Sequence, residues 1–275
     1  MPLHALPLMP THPTGHPNSH AAGHAPTDTP TGTPTGTPTH APPGWHGKLP
    51  SLGDFASRRL DAGFLETWDA WLAAGLLTLR ERDPAGWLDT YLASPSRRFV
   101  LMPGAMPGAA GGQGWAGVLM PSVDRVGRYF PFTLVQPLGQ MPASAQQMQA
   151  LWHWLGRLDE LAADALQDDW SVERLEAELA RMAAPNLDPL VGGCGQLPQA
   201  PGSLVALRLP AGVDAALHIG IEAQALWRKQ AVGLAYWFAS TELLPPSLLV
   251  SRGLPGTAAD LLGAPIHAVE HRSPP

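Results

Sequence analysis

A hydroxyl, a carboxylate and two arginines gather in one short stretch of the sequence, residues 122–129. A serine beside carboxylates is the starting point of an acid–base or hydrolytic mechanism, in which Ser122 would act with Asp124 or with Asp54. Nothing in the sequence activates this serine, because no G-x-S-x-G, H-E-x-x-H or paired C-x-x-C motif occurs. A hydrolase is therefore the less favoured alternative, and we assign no catalytic residue and expect a protein that is not an enzyme.

Two glycine patterns resemble nucleotide-binding motifs but stand in the wrong context. Gly112, Gly114 and Gly117 satisfy G-x-G-x-x-G, yet they lead from a loop into a predicted strand. A dinucleotide site needs the opposite order, a strand that leads into a helix. Gly47-Lys48 would end a phosphate loop, but Leu49 follows where that motif needs Ser or Thr. We therefore expect no cofactor.

The histidines and the single cysteine lack metal-ligand spacing. His12, His16, His20 and His24 recur every fourth residue, but intervening prolines and a glycine deny the helix that would align them. Cys194 lies among glycines without a neighbouring base, and one cysteine allows no internal disulfide. We expect no metal site, and a reducing cytoplasm fits this composition.

Hydrophobic periodicity predicts the elements that must position these residues. Apolar side chains at three- and four-residue spacing predict helices, whereas short β-branched and aromatic runs between Gly and Pro predict strands. Ser171 is the predicted N-cap of one helix, with Glu173 in its first turn. The predicted helices are 64–79, 87–92, 148–165, 171–182 and 222–230. A short first strand is predicted to begin at residue 44, and six more strands are predicted at 98–102, 115–120, 132–136, 203–209, 234–239 and 248–251.

This order of elements predicts one α/β domain over residues 44–270. We expect a single compact domain with a central, mostly antiparallel or mixed sheet, covered by helices on both faces. Residues 1–43 are rich in Pro, Thr, His and Gly and carry one charged residue, Asp28. Such a composition cannot fill a core, so this segment is predicted to be a disordered tail.

Charge and hydropathy limit the classes of partner. The chain has 17 basic and 23 acidic residues and a net charge of -6, which disfavours nucleic acid or an anionic membrane as the main partner. The N-terminus has no basic segment followed by an apolar run, so we expect no signal peptide. No stretch reaches the ~18 apolar residues of a membrane span. A cytoplasmic protein is therefore expected; its oligomeric state is not predicted.

Two segments resemble the motifs of a known family. Residues 44–55, GWHGKLPSLGDF, resemble the opening motif of the TagF family, and residues 115–131, WAGVLMPSVDRVGRYFP, are similar to its central signature. WDAWL at 68–72 and SPSRRF at 94–99 fall between them in the expected order, and YWF at 236–238 and RGLP at 252–255 resemble later elements. The family usually has an aromatic residue at the place of His46 and an arginine at that of Leu52.

The resemblance implies a cytoplasmic, non-enzymatic, post-translational repressor of the type VI secretion system. It implies that this repressor acts by binding the forkhead-associated scaffold protein of that system. A structural or assembly adaptor of the secretion apparatus is the alternative.

The candidate partner-binding residues come from the two motifs. They are Lys48, Asp54, Asp124, Arg125, Arg128 and Tyr129. On one interpretation, a turn anchored by Val123 and Val126 offers arginine forks to a carboxylate or phosphate of the partner. On the other, Asp124 or Asp54 pairs with Arg125, Arg128 or Arg58 inside the molecule and fixes the loops.

Overall fold

The structure is a computed structural model that describes residues 41–52, 54–183, 185, 187, 225, 227–241 and 246–263. The predicted tail up to residue 40 and the predicted strand 203–209 lie outside the described residues. So does part of the predicted helix 222–230, whose described residues 225 and 227–230 are helical.

In the part of the chain that the structure describes, seven strands form one sheet in the order β2-β1-β5-β4-β3-β6-β7, and all their pairings are antiparallel. Central strands β4 and β5 are buried along nearly their whole length. The strands are β1 Gly44–Gly47, β2 Ala56–Arg58, β3 Arg97–Leu101, β4 Gly114–Met120, β5 Phe132–Leu138, β6 Leu234–Ala239 and β7 Ser247–Arg252.

Three of the helices begin at a side-chain cap. Asp61, Ser144 and Ser171 accept hydrogen bonds from backbone amides of the first turns of α1, α3 and α4. The Ser171 cap is the predicted one. The α-helices whose two ends lie in the described residues are α1 Ala62–Arg82, α2 Trp87–Leu92, α3 Ala145–Gln167, α4 Val172–Arg181 and α5 Ala259–Leu262.

Alternating side chains of the sheet build two hydrophobic cores, one on each face. Phe99 and Leu101 of β3 point into the core formed with α1 and α5, whereas Val100 points into the core formed with α3 and α4. The predicted α/β domain, with a sheet covered by helices on both faces, is confirmed, and the sheet is antiparallel. Of the helices described, none has the length and apolar character needed to span a bilayer.

Two local features of the sheet differ from the prediction. The strand predicted to stop before Pro137 continues through it to Leu138. Proline is tolerated there because β1 pairs with β5 only as far as Val135, so among the described residues no strand pairs with that side of β5 at Pro137. Strand β2 has three residues and was not predicted, since so short a run carries no periodic signal.

Candidate functional site

The two motif segments meet at one end of the sheet. Gly47 closes β1 with a φ of 124°, a conformation that glycine adopts without strain. A Cβ atom at this position would stand 2.1 Å from the carbonyl oxygen of Pro131, so only glycine lets the two backbones approach this closely. The residue after this contact, Lys48, lies in the interior.

Lys48 forms a buried ion pair with Asp124. Its Nζ lies 2.8 Å from Asp124 Oδ2, and the exposed fractions of the two side chains are 1% and 0%. The ring of Phe55 covers the ammonium group, with 4.3 Å from Nζ to the ring centroid. A buried charge is tolerated only when it is paired and hydrogen-bonded, and each member of this pair meets that condition through the other.

Asp124 organises the turn that follows it. Its Oδ1 accepts hydrogen bonds from the amides of Val126, at 3.1 Å, and Arg128, at 2.9 Å. Its Oδ2 accepts a second charged donor, Arg128 Nε, at 2.8 Å. Burial by itself raises the pKa of Asp124, but the hydrogen bonds from Lys48, Arg128 and the two amides outweigh burial and hold that pKa well below its usual range. Asp124 is therefore a carboxylate at neutral pH.

Backbone hydrogen bonds close residues 122–130 into a tight hairpin. The amide of Gly127 donates to Asp124 O and the amide of Asp124 to Arg128 O, each at 3.0 Å. The amide of Phe130 donates to Ser122 O at 3.1 Å, and Val123 and Tyr129 form a β-bridge. Gly127 has a φ of 78°, which completes the turn. We call residues 122–130 the signature turn.

Ser122 and Tyr91 hold the base of the signature turn. The Tyr91 hydroxyl donates to Ser122 O at 3.0 Å and accepts from the Ser122 amide at 2.8 Å. Burial raises the pKa of Tyr91, and its hydrogen bond to the Ser122 backbone offsets only part of that rise. The Ser122 hydroxyl donates to the carbonyl of Lys48 at 2.7 Å and is buried. The group that a hydrolase would use as its nucleophile thus joins the two motif segments.

Three neighbouring side chains of the signature turn point outward. The side chains of Arg125 and Arg128 are 66% and 49% exposed, and Val126 is 71% exposed. Arg125 Nη2 lies 3.8 Å from Asp169 Oδ2, a distance typical of a weak surface pair. Phe55, which packs edge-on against Phe130 with 4.8 Å between ring centroids, is 48% exposed at the same end of the sheet.

The structure brings three of the six candidate residues into one cluster, namely Lys48, Asp124 and Arg128. Asp54 is exposed and accepts from the amide of Phe55 at 2.8 Å. Tyr129 is half-buried against the rings of Trp87 and Tyr91. Asp124 pairs with Arg128, as the structural interpretation expects, and it also pairs with Lys48. Contact between these residues and a partner stays a prediction.

Sequence reasoning did not assign several residues that build the site. Tyr91 carried only a helical spacing signal, and Phe55 was the last letter of the opening motif. His46, at the usual aromatic position, packs edge-on against Phe130 at 5.8 Å between ring centroids and lies 3.0 Å from Asp69 Oδ1 through Nε2. Leu52 packs against the core formed with α3 and α4.

No metal cluster involves this site in the part of the chain that the structure describes, where His, Cys, Asp and Glu form no group of three or more that could hold an ion. Its chemistry is that of a hydrogen-bonded turn that presents two cations and an apolar side chain to the exterior.

A match to a family model places this fold and site among type VI secretion system-associated proteins. The family model of the TagF N-terminal domain, described as type VI secretion system-associated, matches residues 44–182, which include both motif segments and the signature turn. The chain belongs to the TagF family. The crystal structure of PA0076 from Pseudomonas aeruginosa PAO1 is similar to it, with 32% sequence identity, a TM-score of 0.60, and coverage of 80% of this chain and 94% of that chain. No curated protein matches the chain.

Proposed function

We propose that this protein represses type VI secretion after translation by binding the forkhead-associated scaffold protein of the system, and that it acts without catalysis. The observation that carries the proposal is the joining of the two family motifs into one pre-formed turn. Lys48 from the first motif and Asp124 from the second form the buried pair, and the side chains left outside are Arg125, Val126 and Arg128.

A pre-formed turn favours binding. Ordering a loop at an interface costs free energy, and a turn that is already hydrogen-bonded avoids most of that cost. Arginine is enriched among residues that contribute most to protein interfaces. Ser122, by contrast, is buried, and its hydroxyl is hydrogen-bonded to a backbone carbonyl, with no base among the contacts described.

Deletion of the gene, combined with direct binding, tests this function. If the protein is a repressor, deletion raises secretion and the purified protein binds the purified scaffold protein. A structural adaptor predicts instead that deletion abolishes secretion. An enzyme predicts that Ser122→Ala fails to restore repression while binding is unchanged. Absence of binding between the two purified proteins would refute the proposed mechanism.

A further inference from the structure

We propose that Arg128 is a pre-oriented anchor for a carboxylate on an acidic segment of the partner protein, with Arg125 as a second, more loosely held contact. The inference rests on the proposed function, because it names the chemistry that the signature turn recognises in its partner.

The guanidinium of Arg128 is held through Nε, and its side chain is 49% exposed. Its Nε donates a hydrogen bond to Asp124 Oδ2 at 2.8 Å, which links the Arg128 side chain to the described part of the protein. The backbone amide of the same residue donates to Asp124 Oδ1 at 2.9 Å, so both the backbone and the guanidinium of Arg128 are restrained. The Nη1 and Nη2 groups form the fork that matches the two oxygens of a carboxylate.

Lys48 neutralises Asp124, so the positive charge of Arg128 is not needed for that purpose. Asp124 has one negative charge, and the buried Lys48 ammonium at 2.8 Å supplies its counter-charge. Arg128 therefore binds Asp124 without being its sole counter-ion, and the signature turn is left with a positive outer surface. The chain as a whole has a net charge of -6, so this local positive charge complements an acidic segment and not the rest of the protein.

Arg125 adds a contact that a partner can take over. Its pair with Asp169 spans 3.8 Å, and both side chains are more than half exposed, at 66% and 53%. Exposed pairs of this kind contribute little, so exchange of Asp169 for a partner carboxylate costs little. Val126, 71% exposed, lies beside Arg125 in the chain and gives the surface an apolar contact.

Binding of the forkhead-associated scaffold protein to variants of Arg128 tests the proposal. Affinity is measured by titration calorimetry at two salt concentrations. Arg128→Gln removes the charge, and we expect binding to weaken by ~30-fold or more. Arg128→Lys keeps the charge but loses the fork, and we expect a loss of about tenfold. Arg82→Gln is the matched control, since Arg82 is 55% exposed and pairs with Asp260 at 3.0 Å on another part of the surface; we expect its affinity to equal that of the parent.

Each outcome separates the inference from the function on which it rests. If the parent binds and both Arg128 variants, folded by circular dichroism, bind equally well, the inference is wrong and the proposed function stands. If the parent does not bind, the proposed function fails, and the inference with it. Prior treatment of the scaffold protein with a phosphatase should leave affinity unchanged. Loss of binding after this treatment would show that the anchor is a phosphate and would overturn the assignment to a carboxylate.

Discussion

Lys48 and Asp124 illustrate how a buried ion pair supports a surface feature. Neither side chain reaches solvent to any extent, at 1% and 0% exposed, so their direct role is to fix the backbone of the signature turn. Loss of Asp124 leaves the Lys48 ammonium buried without its counter-charge, and loss of Lys48 leaves the buried carboxylate paired with the half-exposed Arg128. Either loss is expected to destabilise the fold by more than the intact pair stabilises it. The two residues therefore depend on each other and are expected to be intolerant of single replacement.

Lys48→Met should destabilise the protein while preserving side-chain volume. We expect the free energy of unfolding to fall by about 3 kcal/mol, because the variant leaves a buried carboxylate without its lysine. Chemical denaturation measures this change. Lys229→Met is the control, since Lys229 is exposed, and it should lie within ~0.5 kcal/mol of the parent. Equal stability of the two variants would contradict a structural role for Lys48.

The depressed pKa of Asp124 predicts a dependence of stability on pH. Because the folded-state pKa is below the unfolded value, the unfolded chain binds more protons in acid. The stability that Asp124 contributes is complete above a pH of about 4 and is lost as pH falls towards the folded-state pKa. Asp124→Asn should be less stable than the parent at pH 7, and the difference should shrink in acid. If the difference in melting temperature between the parent and Asp124→Asn stays the same from pH 7 to pH 2.5, Asp124 does not contribute to this pH dependence.

Helix α1 packs one side against the core and leaves the other side exposed. Trp68 is fully buried, and its ring lies within 5.3 Å, centroid to centroid, of the rings of Phe64, Trp71 and Phe99. Its Nε1 donates to Thr133 Oγ1 of β5 at 3.0 Å, which ties the helix to the strand that follows the signature turn. Leu77 of the same helix is 57% exposed and faces away from this core.

Trp68→Ala and Leu77→Ala are therefore a matched pair on α1. We expect Trp68→Ala to lower the free energy of unfolding by ~3–5 kcal/mol, because it opens a cavity and removes a buried hydrogen bond. Leu77→Ala should change it by less than about 1 kcal/mol. Urea denaturation followed by tryptophan fluorescence provides the measurement. Similar losses for both variants would indicate that the outer face of α1 is also covered.

The sheet as a whole brings the motifs together. Lys48 and Asp124 are 76 residues apart in the chain, and Tyr91 lies 31 residues before the serine it holds. At the beginning of the described domain, Arg59 donates to the carbonyl of Pro43, with Nη2 at 2.9 Å. Residues 42 and 43 thus contact the domain that follows them.

Truncation before Ala41 should leave the melting temperature unchanged. The removed residues have too little apolar surface to offset about 1–2 kcal/mol of ordering entropy per residue. Truncation before Gly44 also removes the carbonyls that Arg59 binds, and we expect a drop of no more than a few degrees, consistent with the loss of exposed hydrogen bonds. A large drop for the first truncation, measured by differential scanning calorimetry, would mean that residues 1–40 pack on the domain.

Local patterns in the sequence predicted most of the described helices and strands, since amphipathic periodicity is a property of neighbouring residues. Such patterns predicted the helix that carries Trp68, the N-cap at Ser171 and the strands on both sides of the signature turn. The motifs also identified the family and the six candidate residues. Because Asp124 and Arg128 are oppositely charged and close in sequence, their ion pair was one of several pairings that the sequence predicted.

Only the tertiary structure decided which charged side chains are buried and which are exposed. Nothing near Lys48 in the sequence indicates a partner, because the pair depends on the register of β1 against β5 and on the close approach at Gly47. Strand β2 exists because β1 offers a free edge, with Trp45 opposite Arg58, and not because three residues have a propensity of their own. Local periodicity shows which side of an element is apolar, but the strand that it pairs with and the charges that this pairing buries depend on contacts between distant segments.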